Sequence, residues 1–201
     1  MAEYLDPRDI QAGKLLNVGG RNCSSIEIGR LLVRSGVVLS CSPESVGTPN
    51  EEKGEIEVEV PRGEHPVVAV VYGCGDERRA AIVSLRWREQ DVVKWSPTRK
   101  PAYLEHAYLD CFLDREASLC FYGLLARDEK GTSDRIYAEI DQSSGGSLEA
   151  FGWANITLDP LTKLNCVIYR SGFEEGCVGS FLGWDARGES VCLTNVYPLR
   201  E

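Results

Sequence analysis

Short apolar runs, broken by turn residues roughly every 8 to 12 positions, constrain this chain more than any other feature. Residues 55–60 alternate strictly: Ile56, Val58 and Val60 fall on one side, and Glu55, Glu57 and Glu59 on the other. That period predicts a strand with one buried and one wet face. Residues 67–72 are almost continuously apolar and predict a strand in a sheet interior. Runs at 79–87 and 91–95 follow, and four more lie at 151–157, 164–170, 177–182 and 190–196. Residues 30–33 and 37–40, joined by Arg34-Ser35-Gly36, predict a tight hairpin in which Gly36 supplies a positive φ.

Helical signals are fewer. Asp114 stands as an N-cap before Ala117, Leu119, Cys120, Leu124 and Leu125, which recur at helical spacing. A second short helix is expected over 133–140, followed by a flexible connection at 143–147. Asp6-Pro7 suits the opening of a short helix near the N-terminus. Residues 61–66 predict a turn, and 101–106 an irregular segment. The expected fold is α+β and mainly β. Antiparallel sandwich or barrel-like sheets are flanked in sequence by one or two short helices between two groups of strands. Residues 1–27 form an N-terminal segment and 28–201 a single globular β-rich domain.

Charge narrows the partners. The formal net charge is -9, which a phosphate backbone or an anionic membrane repels. A basic protein partner fits better, and nucleic acid and membrane are not expected. No apolar run approaches the roughly 20 residues that span a bilayer, and the first residues lack the basic and apolar regions of a secretory signal. The expected location is the cytoplasm. Eight cysteines are scattered without a Cys-x-x-Cys pair, and there are only two histidines, His65 and His106. No metal and no cofactor is expected from that arrangement, and the thiols are read as small buried hydrophobes.

Two groups of residues suggest chemistry. Ser171-Gly172-Phe173-Glu174-Glu175-Gly176 and Gly183-Trp184-Asp185-Ala186-Arg187-Gly188 bracket an apolar run with acidic loops. Glu174, Glu175 and Asp185, with Phe173 and Trp184, are the candidate binding residues. Their carboxylates could meet a basic partner, hold a divalent cation or act as an acid–base pair. Ordinary turn chemistry explains the same composition. The second group is His106 with Asp110, Cys111 and Asp114, a possible nucleophile and base whose spacing has little specificity. No P-loop, dinucleotide fingerprint, Gly-x-Ser-x-Gly elbow or His-Glu-x-x-His is present.

Several motifs together resemble one family. Residues 29–41 resemble an opening "gly-x-leu-x-val-x-ser-gly-x-leu" element, and Pro61-Arg62-Gly63-Glu64-His65-Pro66-Val67 a "pro-x-gly-x-tyr-pro-val" turn and strand. Val93-Lys94-Trp95, Cys111-Phe112-Leu113-Asp114, Gly152-Trp153-Ala154-Asn155 and the terminal Ser-Gly-aromatic block complete the pattern. It is similar to the domain-of-unknown-function family 4241 over residues 28–197. The family's "gly-trp-gly-asp-gly" is here Gly172-Phe173-Glu174-Glu175-Gly176, and its "val-asp-ala-gly" is Glu105-His106-Ala107-Tyr108. The resemblance implies no activity. The favoured function is a non-enzymatic acidic protein-binding module, of the immunity type, that neutralises a basic partner. The alternative is a carboxylate- or metal-assisted hydrolase working from the C-terminal acidic loops.

Overall fold

The computed structural model describes residues 3–4, 17–18, 21–43, 46, 56–98, 103–106, 109–127, 131–144, 150–170 and 176–199. The first strands are β1 (Glu3–Tyr4), β2 (Asn17–Val18), β3 (Arg21–Val33), β4 (Val37–Cys41), β5 (Ile56–Glu59), β6 (Gly63–Tyr72) and β7 (Arg79–Arg86). β8 (Lys94–Pro97), β9 (Tyr103–His106) and β10 (Asp110–Asp114) lead into helices α1 (Arg115–Arg127) and α2 (Gly131–Ser143). β11 (Gly152–Asp159), β12 (Leu164–Arg170), β13 (Gly176–Trp184), β14 (Ser190–Val196) and β15 (Pro198–Leu199) follow.

The strands form two larger antiparallel sheets and a small β1–β15 pair. One sheet runs β2-β3-β6-β7-β14-β13-β8, with β9 also on β13; the other runs β11-β12-β10-β4-β5. Neither closes into a barrel. Leu31, Val67, Val83, Leu85 and Leu193 of the first sheet pack with Val38, Phe112, Val167 and Tyr169 of the second in one core. On its other face the five-stranded sheet packs Leu39, Cys111, Leu113 and Ile168 against Ala117, Phe121, Ile136 and Ile140 of the two helices. The architecture is thus an α+β, mainly β sandwich with a helical layer on one sheet. Phe112 is fully buried at its centre, where truncation to Ala would cost about 3–5 kcal/mol.

β5 keeps the expected alternation, with Ile56 and Val58 buried and Glu57 and Glu59 exposed. The expected hairpin at 30–40 is a sheet-to-sheet corner instead. β3 pairs with β6, whereas β4 pairs with β5 and β10. Gly36, at φ 86°, turns the chain, and the Asp114 carboxylate fixes the corner. Its Oδ2 accepts the N–H groups of Arg34 and Ser35 and the Ser35 hydroxyl, each within 3.0 Å. Its Oδ1 accepts the Glu116 N–H at 2.8 Å, so Asp114 also caps α1 as its sequence position predicts.

Other boundaries moved. Residues 103–106 are β9, paired with β13, rather than irregular. β6 begins at Gly63 and takes in His65 and Pro66; its ladder with β7 starts only at Val67, so the proline's missing N–H breaks no rung there. β8 lies at Lys94–Pro97, slightly beyond the expected run, and α2 extends past both expected ends. β10 carries no strand signal of its own, because all five of its residues are buried. The expected helix near Asp6 and the connection at 145–147 lie outside the described residues.

Candidate functional site

Asp185 and Trp184 sit where β13 turns into β14. The Asp185 carboxylate accepts the N–H groups of Arg187 and Glu189, both at 2.9 Å, and its own N–H donates to the Glu189 carbonyl. Those N–H groups, that of Glu189 foremost, hold its carboxyl below the usual range, assisted by Arg88. Arg88 also pairs with Glu189 across the turn. Asp185 is only 5% exposed, and its acceptor capacity serves the hairpin. The Trp184 indole N–H donates to the Ser96 hydroxyl at 2.8 Å, tying β13 to β8. Phe173, Glu174 and Glu175 lie outside the described residues.

The second group separates by strand geometry. Asp110 and Cys111 are neighbours in β10, so their side chains leave opposite faces of the sheet. Cys111 enters the core against the helices, where its thiol donates to the Cys41 carbonyl at 3.2 Å. Burial, with Cys166 adding to it, pushes that thiol well above its ordinary pKa, the reverse of what a nucleophile needs. Asp114 is the cap and corner clamp. His106 belongs to β9, with its backbone opposite Gly176.

Asp110 faces the other sheet, where a polar network crosses the interior. The Tyr197 hydroxyl donates to Asp110 Oδ2 at 2.7 Å. The Tyr169 and Tyr197 rings pack edge to face beside it, their centroids 6.3 Å apart. Asn195 Nδ2 donates to the Tyr169 hydroxyl at 2.8 Å and to the Ser40 hydroxyl at 3.0 Å. Its Oδ1 accepts the Ser180 hydroxyl at 2.7 Å. Ser40, Asp110 and Tyr169 come from the five-stranded sheet; Ser180, Asn195 and Tyr197 come from β13, β14 and the residue after it. All six are buried. Burial drives both phenols well above their ordinary pKa, and the charge of Asp110 adds to the effect. Hydrogen bonds thus join Ser180 through Asn195 to Ser40 and Tyr169, and Tyr197 to Asp110. A buried polar network that spans both sheets specifies how they register.

Residues 31–195 match the family described as Protein of unknown function (DUF4241). The chain belongs to this family. No curated protein and no solved structure matches it. In this DUF4241 protein the matched stretch runs from the last residues of β3 to near the end of β14, so it takes in the whole five-stranded sheet, both helices and the larger sheet from β6 onward. Its motif residues are hinges of the fold. Cys111-Phe112-Leu113-Asp114 is β10 with the α1 cap. Gly29 leaves room for Asn155, which a Cβ there would meet at 3.0 Å. Gly152 lets β11 lie against α2, since a Cβ would come within 2.6 Å of the Ile140 carbonyl.

Ser40, Tyr169, Asn195 and Tyr197 were not singled out from the DUF4241 sequence. The available signal was a polar residue inside an apolar strand, as Ser40 in β4 and Asn195 in β14. Among the described residues, no group of three or more His, Cys, Asp or Glu is placed to hold a metal ion. No helix among them is long and apolar enough to cross a membrane.

Proposed function

We propose that this DUF4241 protein is a non-enzymatic acidic binding module that associates with a basic protein in the cytoplasm, in the manner of an immunity protein. One observation carries the reading: the three aspartates buried among the described residues, Asp110, Asp114 and Asp185, each serve the fold. Asp110 and Asp114 stand at opposite ends of β10, about 13 Å apart by strand rise. Asp185 is committed to its own turn. None of them is paired with another as general acid–base chemistry requires. The net charge of -9 supports the choice of partner, because it steers cationic surfaces toward the protein.

The test is affinity isolation with the full chain from its source organism, followed by association kinetics on any basic protein recovered. The expected result is one basic partner whose on-rate falls by on the order of tenfold from low to high salt. Recovery of no protein, or of a partner whose association ignores salt, overturns the reading.

A further inference from the structure

The two ends of the five-stranded sheet are treated differently. At β11 the first residues of the edge are closed off: the Phe151 N–H donates to the Arg78 carbonyl at 2.7 Å, and the Trp153 N–H to the Ser143 hydroxyl at 2.6 Å. Arg78 completes the closure by donating to the carbonyls of Phe151 and Ser143. At β5, among the described residues, no strand or side chain plays that part.

The ladder phase decides what the β5 edge presents. The Val60 N–H donates to the Gly36 carbonyl, so Val60, Val58 and Ile56 bond inward to β4. Alternation then aims the N–H and C=O of Glu57 and Glu59 away from the sheet. Their side chains are exposed beside that edge. Arg115 pairs with Glu57, and among the described residues Glu59 has no ion pair. A groove of about 420 Å³, lined by Ser35, Gly36, Val37, Glu59, Val60 and Pro61, opens at the end of this edge.

We propose that the β5 edge is the docking strand for an extended basic segment of a protein partner, added as a sixth strand. Two backbone-active glutamates make this edge selective. A second copy pairing antiparallel would set Glu57 and Glu59 against their own kind, which cross-strand repulsion disfavours. A segment with Lys or Arg on one face and aliphatic residues on the other matches both faces. Its cations meet Glu57 and Glu59, and its aliphatic side chains extend the layer of Ile56 and Val58. Main-chain bonds supply affinity, and the alternating side chains supply choice. The proposal rests on the basic-partner reading above and locates its surface.

The probe is a blocked peptide of alternating Lys and Val, about eight residues long, a common strand length, with a Glu–Val peptide as control. Binding of the Lys peptide to the full chain should slow exchange of the Glu57 and Glu59 amide protons, while the Glu peptide should not bind. Glu59→Pro removes an outward N–H and leaves the β4 ladder intact, so it should weaken binding about tenfold, as should Glu57→Lys with Glu59→Lys. Unchanged exchange at Glu57 and Glu59 in the wild-type chain overturns the proposal without relying on any variant. If a basic protein binds with salt dependence but ignores these substitutions, the edge is wrong and the basic-partner reading stands. If no basic protein binds, that reading falls too.

Discussion

Asp114 accepts a hydrogen bond from the Ser35 hydroxyl at 2.9 Å, which couples the first turn of α1 to the corner where the chain changes sheets. The same carboxylate takes the Ser35 and Arg34 N–H groups and the Glu116 N–H. Asp114→Ala should therefore cost about 3 kcal/mol in urea unfolding, from one lost cap and several stranded donors. Asp114→Asn keeps one acceptor oxygen and should cost less. Equal losses in the two variants would show that the oxygen kept by Asn supports neither the cap nor the corner.

Tyr197 and Asp110 should be coupled. Tyr197→Phe leaves a buried carboxyl oxygen without its hydroxyl and should cost about 2 kcal/mol. Combining it with Asp110→Asn should cost less than the two single losses added together, because the pair shares one interaction. Strict additivity would remove Tyr197 from the network.

Alkaline pH should unfold the protein through the same phenols. Their folded pKa values lie well above the ordinary value near 10 because of burial and Asp110. The stabilisation is fully present below that ordinary value and is lost as pH rises toward the folded values, since the unfolded chain sheds those protons first. Tyrosinate absorbance from Tyr169 and Tyr197 should appear together with unfolding. The Tyr169→Phe, Tyr197→Phe double variant should show a shallower alkaline decline.

Acid should loosen two turns. Asp159 is held below its ordinary pKa by the Thr162 hydroxyl first and the Leu161 N–H next, and Asp185 by the Glu189 and Arg187 N–H groups. Their contribution is present above the unfolded value near 4 and is lost as pH falls through the folded values. Asp159→Ala with Asp185→Ala should flatten the acid limb of the stability profile. An unchanged limb would assign acid sensitivity elsewhere.

Thiol labelling should separate the cysteines. Cys74 is exposed, whereas Cys23, Cys41, Cys111, Cys166 and Cys192 are buried. Burial raises the pKa of Cys111 and Cys192. A thiol reagent should modify Cys74 in the native protein and reach those five only on unfolding, as peptide mapping would show.

Local pattern was legible where a strand has one wet face. β5 shows this, with glutamates marking its exposed side. β10 was hidden because residues buried on both faces and running into a helix have no period of two. The corner at Gly36 was misread because a Ser-Gly turn looks the same whether the next strand folds back or crosses over. Only the distant Asp114 decides between them. Asp110 was noticed for its nearness to His106 and Cys111, yet strand alternation turns it away from Cys111. Its partners Tyr169, Asn195 and Tyr197 arrive from far along the chain, where no local rule connects them.

The crossover at Gly36 also governs how the chain can be made. β3 and β14 belong to one sheet and β4 and β12 to the other, so a break anywhere between 42 and 163 leaves both sheets divided. During synthesis β3 and β4 emerge early and then wait: β10 and β12 must appear before one sheet is whole, and β14 before the other. A nascent chain halted near β12 would hold its first long strand without the Asn195 and Tyr197 contacts that bind the sheets together. Ribosome-bound intermediates of this protein should therefore gain protease resistance late and in a single step.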